Sequence, residues 1–255
     1  MKIIDTHTHL YLNQFKKDID DVIARAKEIG IKKFIFPAID SSHFDSMYNL
    51  KKKYPNDIFL MSGLHPTDVK ENYKDELNFV VNTLKTNNYV AIGEIGIDLY
   101  WEKSFLKQQQ EAFKFQIRLA IIHDLPIVIH CREAFNEIFE ILDKENCDKL
   151  RGVFHCFTGT LKEAQRAIDL GFVLGIGGVV TFKNGGIDKF LHKIELKNIV
   201  LETDSPYLAP APFRGKRNES TYIIYVVEKL SEIYGISKEK IAEITSKNAE
   251  KVFRL

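Results

Sequence analysis

The chain has 255 residues, and its 36 lysine and arginine residues nearly balance 35 aspartate and glutamate residues, for a formal net charge of +1. Its 45% of hydrophobic and 28% of charged residues are close to the averages of globular proteins and exclude a disordered chain. The near-zero charge argues against a protein that binds nucleic acid over a broad surface, because such proteins carry a basic excess.

Membrane insertion and secretion are also disfavoured. No stretch reaches the ~18 uncharged apolar residues that suggest a membrane span, and Asp5 comes too early for a signal peptide. The three cysteines are too few and odd in number for a disulfide framework. We therefore expect a cytoplasmic protein with no membrane association and no obligate protein partner.

Eight short apolar runs, rich in β-branched and aromatic residues, predict buried parallel strands. The runs lie at residues 3–4, 34–36, 58–61, 90–92, 127–129, 153–154, 172–174 and 199–201. The segments between them have helical spacing. One helical face begins at Ile19, Val22 and Ile23, and Gly30 is placed to end that helix. Thr160 and Glu163 have the spacing of a capping box at the start of another helix.

This alternation of strands and helices predicts parallel βαβ units, and eight units in about 250 residues match a TIM (β/α)8 barrel. A doubly wound open sheet is the alternative architecture. No repeat or linker divides the sequence, so we expect a single domain over residues 1–255. The stretch 205–218 contains three prolines and is expected to form a loop at the barrel rim.

Histidines and carboxylates recur where the predicted strands end. Side chains two residues apart on a strand point the same way, so His7 and His9 could converge on one metal ion. A TIM barrel exposes its active-site residues at the carboxyl ends of its strands. A single histidine there is more often an ordinary hydrogen-bonded residue, and a carboxylate could cap a turn. The number of such residues favours a metal centre, whose predicted ligands are His7, His9, Glu94, His130, His155 and Asp204.

Four imidazoles and two carboxylates exceed the three protein ligands typical of one catalytic zinc ion. The sequence therefore predicts two divalent ions, ~3.5–4 Å apart, with Glu94 bridging them. Strand order would assign His7, His9 and Asp204 to one ion and His130 with His155 to the other. Two ions (+4), two carboxylates (−2) and a hydroxide (−1) leave a surplus of about +1. Such a surplus would favour an anionic substrate such as a phosphodiester.

Basic and aromatic residues near the predicted mouth suit the same substrate. Arg132, Arg214 and Tyr207 are expected to contact phosphate oxygens or exposed bases. Tyr100 and Trp101 are expected to form another stacking wall.

Three further residues are close to the predicted site. His65 ends the third strand run and is expected to contact substrate rather than metal. Cys131 and Cys156 each follow a predicted ligand. Because neighbouring strand residues point to opposite sides, we expect both cysteines to face the helix layer.

Six ordered motifs resemble the TatD family of metal-dependent hydrolases: DTHTHL (5–10), GLHP (63–66), IGEIGID (92–98), IHCREA (129–134), HCFTG (155–159) and ETDSPYL (202–208). The resemblance covers nearly the whole chain. It implies a TIM barrel of the amidohydrolase type and a deoxyribonuclease that depends on magnesium, manganese or zinc. It also implies the same six metal ligands. Among them, Glu94 and Asp204 are the predicted catalytic residues, since Glu94 would bridge the ions and Asp204 would orient the attacking water or take its proton.

The resemblance further implies that His65, Arg132 and Glu202 support the metal ligands or contact phosphate. One departure is Ser220, which stands where the family motif after Arg214 ends in proline. The replacement predicts a less rigid helix start rather than altered chemistry.

The leading hypothesis is a deoxyribonuclease, with 3′–5′ exonuclease action on single-stranded or frayed DNA and with RNA as a second substrate. A narrow barrel mouth and a net charge of +1 suit chain ends better than intact duplex. The alternative keeps the metals but changes the bond, giving an ester or amide hydrolase such as a D-aminoacyl-tRNA deacylase. A non-catalytic metal-binding protein is a third reading.

Overall fold

The computed structural model describes all 255 residues. Eight parallel strands form one sheet in chain order, and each coincides with one of the predicted apolar runs. They are β1 (Ile3–Asp5), β2 (Ile31–Phe36), β3 (Ile58–Ser62), β4 (Ala91–Asp98), β5 (Ile127–Arg132), β6 (Gly152–Phe154), β7 (Phe172–Ile176) and β8 (Ile199–Leu201).

The sheet closes on itself where β8 meets β1. Thr6 N–H donates to the Leu201 carbonyl at 3.0 Å, and Asp204 N–H donates to the His7 carbonyl at 2.9 Å. The TIM barrel prediction is confirmed and the open-sheet alternative is wrong. The hydrogen bonds between the two chain segments continue past the ends of both strands. Two of the predicted metal ligands, His7 and Asp204, are therefore joined directly through their backbones.

The helices follow the strands, as a βαβ fold requires. Thr160 and Glu163 form the predicted capping box before the sixth helix. Only short 3-10 turns lie between β7 and β8. No helix is both long and apolar enough to cross a membrane. The helices are α1 (Ile19–Glu28), α2 (Phe44–Lys53), α3 (Tyr73–Thr86), α4 (Leu106–His123), α5 (Phe135–Glu145), α6 (Leu161–Asp169), α7 (Ile223–Tyr234) and α8 (Lys238–Phe253).

Alternation along the strands divides the buried apolar side chains into two main layers. Ile127 belongs to the larger layer, between sheet and helices, whereas its neighbour Val128 belongs to a layer of nine residues inside the barrel. Ala249 and Phe253 of α8 join this inner layer, and Ser246 of the same helix donates to the carbonyl of Lys2, just before β1. Helix α8 therefore closes the amino end of the barrel.

Strand β4 differs from the sequence-based expectation that Glu94 ends it. The strand continues for four more residues to Asp98. Ile92 pairs with Ile127 and Ile95 pairs with Ile129, so three steps on β4 oppose two on β5. The extra residue is a bulge, which re-aims side chains within a strand. Glu94 lies in this bulge.

Candidate active site

A cleft of about 670 Å³ opens at the carboxyl end of the barrel, within the size range of small-ligand sites. His7 is fully buried and contacts Glu94, which lines the cleft. Glu202 and Arg214 do not line the cleft. The predicted site residues that do so are His9, His65, Glu94, His130, Arg132, His155, Asp204 and Tyr207.

The first ligand cluster forms around one oxygen of Glu94. His7 Nε2 lies 3.0 Å from Glu94 Oε2 and 3.3 Å from His9 Nε2. His9 Nε2 is in turn 3.5 Å from Asp204 Oδ1. His7, His9 and Glu94 are all buried. Two nitrogens and two carboxylate oxygens therefore converge in a space from which protein atoms largely exclude water.

A second cluster forms around the other oxygen of the same carboxylate. His130 Nδ1 lies 2.7 Å from Glu94 Oε1 and 3.2 Å from His65 Nε2. His155 Nε2 lies 3.7 Å from Glu94 Oε1 and also reaches within 3.9 Å of Asp204 Oδ1. Glu94 thus has one oxygen in each cluster, and His65 lies among the candidate ligands as well as in the cleft.

These clusters are able to bind metal. An ion held at about 2.0–2.2 Å by nitrogen and oxygen atoms separates tetrahedral ligand atoms by about 3.3–3.6 Å. The corresponding atoms of His7, His9, Glu94 and Asp204 are 3.0–3.9 Å apart. The donor set and its spacing therefore fit a divalent ion.

The outer nitrogens of two histidines are held by residues that were not predicted as site residues. Tyr11 donates its hydroxyl proton to the Pro37 carbonyl, so its oxygen accepts from His9 Nδ1 at 2.7 Å. Asp98 Oδ2 accepts from His130 Nε2 at 2.8 Å. Each contact leaves the inner nitrogen free to bind an ion, as supporting residues do in metal sites.

Sequence spacing contained a signal for both residues. Tyr11 continues the alternation of His7 and His9, and Asp98 lies four residues after Glu94 on the same strand.

Glu202 supports a third histidine from behind. Its carboxylate is fully buried. Glu202 Oε1 lies 3.0 Å from His155 Nδ1 and accepts a hydrogen bond of 2.6 Å from the Cys156 N–H. The carboxylate rests against Gly175, where a Cβ would stand 2.2 Å from Glu202 Oε2. Of the two roles that the resemblance implies for Glu202, its position favours support of a ligand over contact with phosphate.

The buried charges set the protonation of the cluster. The rings of His7 and His155 stack with centroids 3.4 Å apart, so two positive charges there would repel. Burial and the neighbouring His155 lower the pKa of His7. Burial alone would lower the pKa of His155, but Glu202 and Glu94 outweigh it and raise that pKa to about 10.

The two carboxylates of the predicted ligand set stay ionised. Burial opposes ionisation of Glu94, but the charges of His65 and His7 hold its pKa well below its usual range. Burial also opposes ionisation of Asp204, and the contacts with His9 and His155 lower its pKa. Asp204 is the more accessible carboxylate, with 14% of its side chain exposed against 3% for Glu94.

The sequence-based charge count included only two carboxylates, and the structure places two more beside the predicted ligands. Asp98 and Glu202 are also buried beside the ligands. Two divalent ions (+4), four carboxylates (−4) and a hydroxide (−1) would leave about −1 with neutral histidines. A positive surplus at the ions therefore cannot be the reason for an anionic substrate.

The predicted substrate-contacting residues differ in position. Arg132 and Tyr207 line the cleft, and the Arg132 guanidinium lies 4.6 Å from the Tyr100 ring centroid. Arg214 is exposed on the rim loop with its guanidinium 3.5 Å from the Phe182 ring centroid, and it does not reach the cleft. Contact between Arg214 and a substrate stays a prediction.

The cysteines differ from the expectation that both face the helix layer. Cys131 packs against that layer but also lines the cleft. Cys156 lines the cleft, and its φ of 42° interrupts the strand alternation on which the expectation depended. Burial raises the pKa of both thiols, so neither is a reactive thiolate near neutral pH.

Ser220, the departure from the family motif, is fully buried. Its hydroxyl donates to Asp5 Oδ2 at 2.6 Å, and Thr203 donates to the same oxygen at 2.7 Å. Burial raises the pKa of Asp5 to about 7. A proline could not donate this hydrogen bond, so the serine ties the start of α7 to the end of β1.

The fold and the ligand clusters together define a metal-dependent hydrolase built on a TIM barrel. A family model described as TatD related DNase matches residues 4–254. The chain belongs to the TatD family, as the sequence motifs indicated.

Similar proteins support the same assignment. The chain is 37% identical over 255 residues to the uncharacterized metal-dependent hydrolase YabD of Bacillus subtilis, with 99% of each chain covered. It is 33% identical to the 3′-5′ ssDNA/RNA exonuclease TatD of Citrobacter rodentium, with 98% of this chain and 97% of the relative covered. The crystal structure of YjjV, a TatD homologue from Escherichia coli, matches with a TM-score of 0.93 and 28% identity, covering 99% of this chain and 98% of that one.

Proposed function

We propose that this hydrolase cleaves phosphodiester bonds in DNA, and that it acts as a 3′–5′ exonuclease on single-stranded or frayed ends. The observation that carries the proposal is the placement of Glu94, whose two oxygens face two separate ligand clusters at the base of one cleft. The similarity to a relative named as a 3′-5′ ssDNA/RNA exonuclease supports the substrate class and adds RNA as a second substrate.

In this proposal one divalent ion would be held beside His7, His9 and Asp204, and a second beside His130, His155 and Glu94. The groups whose atoms lie close enough together to hold an ion are His7 with His9 and Glu94, His7 with His155 and Asp204, and His65 with Glu94 and His130. When bound, such ions supply Lewis-acid stabilisation of phosphodiester oxygens and make hydroxide available near neutral pH. The histidine-rich donor set favours zinc or manganese, whereas magnesium prefers oxygen ligands.

In this proposal Asp204 receives the proton of the attacking water. Its side chain is the more exposed of the two central carboxylates, and its lowered pKa keeps it ionised at neutral pH. Its φ of 55° is unusual for a residue other than glycine. The hydrogen bonds from Asp204 N–H to His7 O and from Tyr207 N–H to Asp204 O hold it there.

Arg132 orients the substrate phosphate. Its side chain is exposed in the cleft, and a guanidinium fork matches two phosphate oxygens. Because the revised charge count leaves no positive surplus at the ions, Arg132 supplies the positive charge that selects an anion. His65, beside Glu94 and facing the cleft, either completes the second ligand cluster or contacts the same phosphate.

The test offers four substrates to the purified protein, across a panel of zinc, manganese and magnesium and with chelator as the blank. They are end-labelled single-stranded DNA, double-stranded DNA, RNA and an aminoacylated tRNA. We expect stepwise release of nucleotides from the 3′ end of single-stranded DNA, its abolition by chelator, and its loss in Asp204→Asn.

The other outcomes are informative in different ways. Loss of the acyl group from tRNA, without release of nucleotides under any metal, would identify an ester hydrolase and reject the nuclease. Cleavage of neither bond would reject catalysis on both substrate classes. Metal analysis of the purified protein, with Glu140→Gln as an exposed Glu→Gln control for Glu94→Gln, tests the proposed pair of ions directly.

A further inference from the structure

An exposed tryptophan stands at the mouth of the cleft. Trp101, the only tryptophan of the chain, is 71% exposed and lines the same cleft as Glu94 and Asp204. Tyr207, which is 47% exposed, lines this cleft as well. Large apolar side chains exposed together in a cleft indicate a binding site rather than ordinary surface.

The turn that carries Trp101 is held by specific hydrogen bonds. Asp98 Oδ1 accepts from the backbone N–H groups of Tyr100 at 2.9 Å and Trp101 at 2.6 Å. Gln109 of α4, which is fully buried, accepts from Asp98 N–H and donates to the Glu102 carbonyl at 2.8 Å. Both ends of the turn are therefore fixed to the barrel.

Neighbouring side chains also hold the two aromatic rings of this turn, Tyr100 and Trp101, which together form an aromatic wall. The Tyr100 and Trp101 rings meet edge to face with centroids 4.7 Å apart, and the Arg132 guanidinium covers the Tyr100 ring. The carboxylate that anchors the turn also holds His130 through its other oxygen. Asp98 therefore contacts both the aromatic wall, through the backbone of Tyr100 and Trp101, and the candidate metal centre, through His130.

We propose that Trp101, with Tyr207 as a second aromatic surface of the cleft, forms a stacking subsite for an unpaired nucleobase next to the scissile phosphodiester. This inference rests on the proposed function and names the feature of the substrate that the enzyme selects. The cleft presents a cation for phosphate at Arg132 and flat apolar surfaces beside it, which matches the alternation of phosphate and base in a single strand. A paired base inside a duplex has both faces covered by its neighbours and offers no face to Trp101.

The test compares a single-stranded oligodeoxynucleotide with a matched one in which tetrahydrofuran replaces the two bases at the 3′ end. We expect Trp101→Ala to raise KM for the base-containing strand about tenfold, since stacking on an aromatic side chain has an effect of this size. The same variant should leave KM for the abasic strand unchanged, and Trp101→Phe should restore most of the loss. Ile122→Ala, which removes a side chain that is 75% exposed outside the cleft, is the control and should change neither KM.

A binding measurement keeps the test independent of turnover. Because Trp101 is the only tryptophan, its fluorescence reports stacking directly. A phosphorothioate oligonucleotide, which resists hydrolysis, should quench this fluorescence, and its abasic analogue should not. Wild-type KM in Trp101→Ala, or equal quenching by both strands, overturns the inference even if the enzyme is a nuclease. Quenching by the base-containing strand alone, without release of nucleotides from any strand, supports the subsite while the proposed function fails.

Discussion

At the amino end of the barrel, Phe253 and Ala249 of α8 pack with Val128 and the other inward-facing strand residues in a buried apolar layer. At the carboxyl end, Glu94 and Asp204 lie in a cleft among histidines that they hold close together. The same eight strands supply both ends. The amino end thus buries apolar surface, which stabilises the fold, while the carboxyl end buries charges, which costs stability unless they are paired.

The boundary between the two regions lies within β4. A Cβ on Gly93 would stand 2.8 Å from the Val128 Cβ and 3.1 Å from the Met61 Sδ, so the inner apolar layer reaches position 93. The next residue is Glu94, the carboxylate shared by both ligand clusters. The apolar packing therefore ends one residue before the candidate metal centre. We expect substitutions in the apolar layer to change stability and substitutions in the ligand clusters to change activity.

The largest expected effect is that of Glu94→Gln. Replacing this carboxylate removes the group common to both clusters, so we expect kcat/KM to fall by about 10³-fold or more. The side-chain volume is kept, and the free energy of unfolding in chelator should fall by less than about 2 kcal/mol. Single-turnover hydrolysis and denaturant unfolding measure the two quantities. A loss of stability as large as that expected for Phe253→Ala, at the amino end, would contradict the separation of stability and activity between the two ends of the barrel.

Phe253→Ala should show the reverse pattern. Truncating this buried ring leaves a cavity beneath the barrel, and we expect the free energy of unfolding to fall by about 3–5 kcal/mol. The folded fraction should keep wild-type kcat and bind the same amount of metal. Denaturant unfolding and metal analysis check the pair of results. A tenfold change in kcat with folded protein would show that the inner layer controls the site.

Ser220→Ala tests a buried contact at the carboxyl end of β1. The variant removes a buried hydrogen bond to Asp5, and we expect the free energy of unfolding to fall by about 1–3 kcal/mol. Ser220→Pro, which restores the residue of the family motif, loses the same hydrogen bond and provides the comparison. If both variants are as stable as the wild type, the serine does not compensate for the missing proline.

The smallest effect is expected at an exposed ion-pair cluster. Arg254 at the end of α8 and Arg151 before β6 donate to Asp124, and these contacts lower its pKa to about 2. A lowered carboxylate pKa stabilises the fold above the unfolded value of 3.8 and loses that contribution as pH falls through 2. The melting temperature of Asp124→Asn should be slightly lower than that of the wild type at pH 6, and this difference should shrink toward pH 2. A constant difference would assign the effect to packing.

The strands and the convergence of the predicted metal ligands at one cleft were predictable because each depends on local order in the sequence. Buried parallel strands require apolar runs such as 127–129, and His130 directly continues one of them. The bulge at Glu94 and the support of His155 by Glu202 were less accessible, since both depend on the register between separate strands. The charge at the site was misjudged for the same reason, because the contacts of Asp98 with His130 and of Glu202 with His155 join separate strands.

The seam between β1 and β8 has a consequence for the order of folding. Thr6 and the Leu201 carbonyl that it contacts are 195 residues apart in sequence, and Asp204 is held on the backbone of His7. Contacts of such separation form slowly and late. The complete set of predicted metal ligands therefore cannot be assembled on a growing chain until β8 has emerged and met β1. High-affinity uptake of metal should accordingly be one of the last events in the maturation of this protein, coupled to barrel closure rather than preceding it.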